Sequence, residues 1–268
     1  MEKVKPVIKA LLFGAIMLLF FIGSSLIAKA LKLSTNRTYI FQGGMMLLST
    51  VVPIFYIGCK NYGASDIGLN KLNSKNLKGL LFYLPLIVAL CMLFVSFNTK
   101  TSTKSLIVQL FFYISVAVAT EVYFRGLIQK EFRGKINLIV SFFVIGLLYA
   151  LTNLYYFGRL SYLKYILIFS MGSFVLAGIN GMIIEKKGNI IITGIFNALY
   201  LLMGINHVIG GKKLLLGQGL CWLVLFIYGL FLLITYLKPS KPKEEKVEPI
   251  QEIAEDTNNL EEPNMTLE

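Results

Sequence analysis

Long apolar runs alternate with short polar clusters along most of the chain. The runs fall near residues 8–28, 39–59, 79–97, 106–127, 136–157, 162–184, 189–203 and 214–237. Most come close to the ~20 consecutive apolar residues that a helix needs to cross a hydrocarbon core. The pattern predicts an all-α fold, a polytopic membrane helix bundle of about eight transmembrane helices. The seventh run is short, which implies little tilt or shelter by its neighbours. The first run ends at Ala28-Lys29-Ala30, which mimics a small-residue cleavage site, but it is too long for the apolar core of a signal peptide.

Composition agrees with this reading. Hydrophobic residues make up 56% of the 268 positions and charged residues only 15%. Soluble domains hold about 25% charged residues. Charge is also unevenly placed. Residues 1–237 carry 22 Lys and Arg against 5 Asp and Glu, whereas residues 238–268 carry 4 Lys against 9 acids. The basic residues lie between apolar spans and form no continuous stripe, so nucleic acid is excluded as a partner. Membrane lipid is the expected partner, with juxtamembrane lysines facing anionic headgroups. With the N-terminus placed in the cytoplasm, the inner segments hold 17 Lys and Arg and the outer ones 9. The excess of positive charge on the inside predicts a multi-pass cell-membrane protein with both termini cytoplasmic.

Two parts follow from this organisation: a transmembrane domain over 1–237 and an acidic cytoplasmic tail over 238–268. The tail contains Pro239, Pro242, Pro249 and Pro263 and no aromatic residue. Such a segment buries too little apolar surface to offset its ordering entropy, which predicts disorder. Cys59, Cys91 and Cys221 are scattered, with no disulfide or metal-ligand spacing. His207 is the only histidine and is expected as a loop or cap residue. No metal site, no cofactor, no nucleotide-binding glycine pattern and no internal repeat is expected.

Glu121 is the one acidic residue well inside a predicted span. An ionisable group there is costly and marks a functional position by default. Arg125 lies four residues later on the same helix face, where the two side chains can pair. The alternative is that this pair only fixes helix packing. Residues 119–127 read Ala-Thr-Glu-Val-Tyr-Phe-Arg-Gly-Leu. The segment resembles the E-E-x-x-x-R signature, usually followed by Gly, of the CAAX protease and bacteriocin-processing family. These are intramembrane endopeptidases that include the type II CAAX prenyl endopeptidases. Thr120 occupies the place of the first Glu.

The resemblance extends over about residues 105–205. The family's second motif, F-x-x-x-H, falls on Ile145 and Tyr149. Its third motif, H-x-x-x-N or H-x-x-x-D, falls on Asn197 and Leu201 after the basic turn Lys186-Lys187-Gly188. In the family the first Glu and the second-motif His are thought to activate water. The third-motif residues are thought to stabilise the oxyanion. The resemblance therefore carries Glu121 and Arg125 over as retained motif residues, with Thr120, Tyr149, Asn197 and Leu201 as substituted positions. Thr120 cannot act as a general base near neutral pH, and a tyrosine with an ordinary pKa near 10 is poorly suited. Asn197 keeps a hydrogen-bond donor that an oxyanion would accept. Glu121 would serve as a base only if desolvation outweighed Arg125.

The resemblance implies a family homologue with impaired catalysis. It would process or bind a hydrophobic or prenylated peptide, or act in bacteriocin self-immunity; its partner protein is unknown. Thr120, Tyr149, Asn153, Asn197 and Tyr200 are candidates for a polar cavity lining, with plain interhelical hydrogen bonds as the alternative. A transporter or permease subunit and a non-catalytic scaffold are the competing functions. A transporter should show polar residues along a path or broken helices in matched halves. Gly43, Gly44, Gly172, Gly178 and Gly181 predict close helix contacts, and Pro53 and Pro85 predict kinks. Tyr155, Tyr156, Phe157 and Tyr162 predict an interfacial aromatic belt.

Overall fold

The structure is a computed structural model that describes residues 4–70, 81–95, 102–135, 138–152, 163–186, 188–208 and 213–237. The tail from Lys238, the predicted aromatic belt at 155–162 and Asn153 lie outside the described residues. Among the described residues every regular element is helical. In chain order these are α1 (Val4–Ala30), α2 (Thr35–Ser49), α3 (Val51–Cys59), α4 (Leu84–Val95) and α5 (Thr103–Thr120). A π-helical segment, π1 (Glu121–Ile128), follows, then α6 (Gln129–Phe132), α7 (Leu138–Thr152), α8 (Leu163–Glu185), α9 (Ile190–Val208) and α10 (Lys213–Leu237).

Among the described residues, four helical stretches are long and apolar enough to cross a membrane: Val4–Ala30, Thr35–Cys59, Thr103–Phe132 and Leu216–Tyr236. Shorter apolar stretches run over Leu84–Phe94, Gly172–Glu185 and Ile190–Met203. The helices are apolar on both their inner and outer faces. On α1, Ala10, Phe13, Met17 and Phe21 are buried while Ile8, Leu12, Leu19 and Leu26 are exposed. A helix that is hydrophobic all round suits a membrane, where lipid covers the outer face. The fold is thus an all-α membrane helix bundle, as the apolar runs predict. The fourth run continues five residues past its predicted end, through Phe132. His207, expected beyond the seventh span, falls within α9 because that helix continues past Met203.

Two apolar cores meet within this bundle. One gathers α1, α2, α3, α5, π1 and α7 around Met17, Met46, Phe112, Tyr123, Phe124 and Ile145. The other gathers α4, α8, α9 and α10 around Leu86, Leu93, Ile179, Phe196, Leu225 and Tyr228. Helices α8 and α9 contribute to both: Ala177, Leu201 and Leu202 pack in the first, and Leu176, Phe196 and Tyr200 in the second. Small residues allow the closest approaches, since a Cβ on Gly146 would stand 2.8 Å from the Phe174 ring.

Two polar details fix the elements around π1. Pro53 has no N–H to give to the carbonyl of Ser49, one turn earlier. The freed carbonyl accepts from the Tyr123 hydroxyl of π1 at 2.8 Å. A freed carbonyl must find such a partner in a membrane. The second detail is Asn189, the N-cap of α9. Its side-chain oxygen accepts from the Ile191 amide at 2.7 Å, and its amide group donates to the carbonyl of Asn70. Its backbone N–H donates to the Tyr83 hydroxyl at 2.8 Å. An isolated antiparallel bridge between Leu69 and Asn189 completes the joint. The chain segment after α3 is thereby pinned to the start of α9.

Candidate functional site

Glu121 opens π1 and is 3% exposed. Its two carboxylate oxygens face α9. Oε2 accepts from the Thr193 hydroxyl at 2.9 Å. Oε1 accepts from the Asn197 side-chain amide. Thr193 and Asn197 stand four residues apart, so they share one face of α9 and reach the same carboxylate. Behind them, Asn180 of α8 donates to Asn197 Oδ1 at 3.0 Å. Asn180 Oδ1 is buried and takes no donor. A buried carboxylate must be hydrogen-bonded or paired to be tolerated, and this network supplies the bonds.

Arg125 is 2% exposed and supplies the countercharge. Its Nε stands 4.0 Å from Glu121 Oε2. The two residues share a face as predicted, but π1 hydrogen-bonds i→i+5 and its wider turn leaves them at the limit of an ion pair. Arg125 also donates to the carbonyl of Ala177 on α8 and to Gln129 Oε1 at 3.5 Å. Gln129 donates to the Gly181 carbonyl at 3.0 Å and to Glu185 at 2.8 Å. Arg125 and Gln129 therefore clamp consecutive turns of α8 and hold π1 against it.

The substituted motif positions behave differently from one another. Thr120 is buried, and its hydroxyl donates to the Ala117 carbonyl of its own helix at 2.9 Å. It bonds to neither Glu121 nor Asn197. Asn197, expected to keep a donor for an oxyanion, spends an N–H on Glu121. Leu201 is 7% exposed and packs in the first core. Ile145 is fully buried in that same core. Tyr149 lies on α7, but its side chain falls outside the described part.

An apolar groove of about 320 Å³ runs between α5 and α9, with Glu121 among its lining residues. Leu110, Ile114 and Val118 line one wall; Ile191, Ile195 and Ala198 line the other. Of the five expected polar residues, Thr120, Asn197 and Tyr200 do not line it, and the side chains of Tyr149 and Asn153 lie outside the described residues. Thr120 turns into its own helix, and Tyr200 packs against Phe196 and Trp222 in the second core. The groove is apolar because α5 and α9 turn their aliphatic stripes toward it, and the Glu121 carboxylate is turned into α9.

A second buried acid, Glu131, escaped sequence reasoning. It is 3% exposed and accepts from Tyr62 at 2.6 Å, Tyr56 at 3.1 Å and Lys9 at 3.2 Å. Its flanks, Lys130, Arg133 and Lys135, read as a polar loop. The usable signal was the apolar Phe132 beside it, which is 1% exposed.

The family model described as Type II CAAX prenyl endopeptidase Rce1-like matches residues 102–203. No curated protein and no solved structure matches the chain. The matched segment begins beside α5 and ends within α9, so it holds Glu121, Arg125, Thr193, Asn197 and both walls of the groove. Over that segment, 102 of the 268 residues, the chain is similar to the type II CAAX prenyl endopeptidases.

Proposed function

We propose that this membrane protein binds a hydrophobic or prenylated peptide in the groove between α5 and α9 and is impaired in cleaving it. One observation carries the reading: Glu121 lines the groove, yet both oxygens of its carboxylate accept from Thr193 and Asn197 and leave the groove's surface apolar. A general base must be within hydrogen-bond reach of the proton it removes. Here Thr120, at the place of the motif's first Glu, bonds its own backbone. Arg125, with its Nε 4.0 Å from the carboxylate, supplies a countercharge to it. The site holds a carboxylate in place rather than readying it to attack.

The groove's chemistry selects its occupant. A prenyl chain or an apolar side chain loses nothing against aliphatic walls. A peptide backbone placed there would leave its N–H and C=O groups without partners, at a cost of several kcal/mol each. The apolar part of the ligand therefore enters and the peptide backbone stays outside. A protein of this kind can sequester or present a lipidated peptide, and self-immunity against a bacteriocin is one such role.

Photo-crosslinking of a farnesylated peptide, with the photoreactive group on the prenyl chain, tests this. Adducts should map to α5 and α9 residues of the groove. Val118→Trp, which fills the groove from a half-exposed position, should abolish them. Adducts elsewhere, or full labelling of Val118→Trp, would contradict the reading.

A further inference from the structure

Glu131 lies ten residues beyond Glu121 on the same helical stretch. It takes no part in the Glu121 network. Around it the chain gathers two tyrosines and four lysines from three separate elements. Lys9 comes from the start of α1, and its Nζ donates to the Tyr56 hydroxyl at 2.8 Å. It also stands 5.6 Å from the centre of the Tyr56 ring. Lys60, just past α3, stands 5.9 Å from the same ring. Lys130 lies 5.3 Å from the Tyr62 ring and pairs with Asp66. Lys135 approaches Glu131 to 3.5 Å.

These charges do not balance. Four ammonium groups face two carboxylates, Glu131 and Asp66, which leaves two positive charges in excess. Lys60 makes no ion pair with a carboxylate among the described residues. Lys9 and Lys135 share Glu131 and are 39% and 53% exposed, so their outer sides meet the surroundings.

The position of this rim says what the surroundings are. Three apolar spans have an end here: α1 starts at Val4, α3 ends at Cys59 and α6 ends at Phe132. Ends of long apolar helices mark the level of the headgroups in a bilayer. Inward of the lysines, Leu12, Ile54 and Phe55 are exposed, Phe55 at 72%. A cationic, aromatic rim above an exposed aliphatic face complements an anionic headgroup above its acyl chains. At the other end of α1, Lys29 and Lys32 gather around no such cluster among the described residues.

We propose that the rim formed by Lys9, Lys60, Lys130 and Lys135 around Tyr56 and Tyr62 is a binding site for an anionic phospholipid. The headgroup phosphate offsets the excess charge at Lys60 and its neighbours. The acyl chains lie on the exposed faces of α1 and α3. A soluble acidic peptide would meet the lysines but leave the aliphatic face beneath them uncovered. The site stands apart from the groove, so it does not depend on what the groove holds.

Native mass spectrometry of the full chain in detergent tests this with three probes: phosphatidylglycerol, phosphatidylcholine and glycerol phosphate. The wild type should retain phosphatidylglycerol in preference to phosphatidylcholine. Each lysine near an anionic lipid surface is worth about a fivefold change in affinity. Lys60→Gln should therefore weaken phosphatidylglycerol binding about fivefold, and Lys60→Gln with Lys135→Gln about twenty-five-fold. Phosphatidylcholine binding should not change. Lys29→Gln with Lys32→Gln, at the opposite end, should have no effect. Lys60 holds no carboxylate among the described residues, so Lys60→Gln leaves the ion pairs of the rim in place. Unchanged phosphatidylglycerol affinity in the Lys60 and Lys135 variants would overturn the proposal. So would an equal loss in the opposite-end variant, or glycerol phosphate binding as tightly as the lipid.

Discussion

The identity of single side chains decides what Glu121 can do. A carboxylate inside an apolar bundle needs donors, and Thr193, Asn197 and Arg125 surround it. Breaking a buried pair by removing one partner is costly because the other charge is left uncompensated. Glu121→Gln should lower stability by about 3 kcal/mol on that ground, measured by chemical denaturation in nanodiscs. Glu121→Gln with Arg125→Met, which removes both charges, should recover part of the loss. Outside the membrane spans, the Lys130 ammonium beside Asp66 holds that carboxyl below its ordinary value of 3.8. A lowered folded value means that the contact stabilises above pH 3.8 and fades as the pH falls through and below it. Asp66→Asn should abolish that acid sensitivity in the segment after α3, read by hydrogen exchange. Glu121 and Arg125 were legible in the sequence because a charge within an apolar run has no cheap explanation. Thr193 and Asn180 were not, because uncharged polar residues are common in membrane helices and bond silently to backbone. Glu131 was hidden by its basic neighbours, which imitate a loop.

Elements carry the next level of the account. The eight residues of π1 set Arg125 at 4.0 Å from Glu121 and direct it onto the Ala177 carbonyl. Nothing in the hydrophobic period separates a π-helical stretch from an α-helical one, so π1 was invisible before the fold was known. An interruption near Pro53 was legible, and the helix breaks between Ser49 and Val51; the partner of the freed carbonyl was not, because Tyr123 lies 74 positions from Ser49. Tyr123→Phe should orphan the Ser49 carbonyl and destabilise by about 1–3 kcal/mol, with thermal unfolding as the measurement. Asn189→Ala removes both the cap of α9 and its bond to Asn70. A cap alone is worth about 1 kcal/mol. Asn189→Ser, which restores only the cap, should recover part of the stability and leave the segment after α3 loose to protease.

Across the whole molecule, long apolar helices leave large aliphatic faces bare, and only lipid covers such area. The apolar runs announced this from the sequence, and their helices fall close to the predicted bounds. How the two cores share α8 and α9 was not legible, since helices apolar on every side give no clue to their neighbours. The proposed orientation, with both termini cytoplasmic, predicts that reporters fused to either end respond on the same, inner side of the membrane. The account as a whole rests on a buried acid, Glu121, that is bound up in its own network. The most direct measurement is cleavage of quenched fluorescent CAAX-type and leader-type peptides by the full chain in nanodiscs, with Glu121→Ala as control. A sample that takes up the farnesyl crosslinker yet cleaves neither peptide is the predicted result. Cleavage by the wild type that is lost in Glu121→Ala would show Glu121 acting as a base and contradict it.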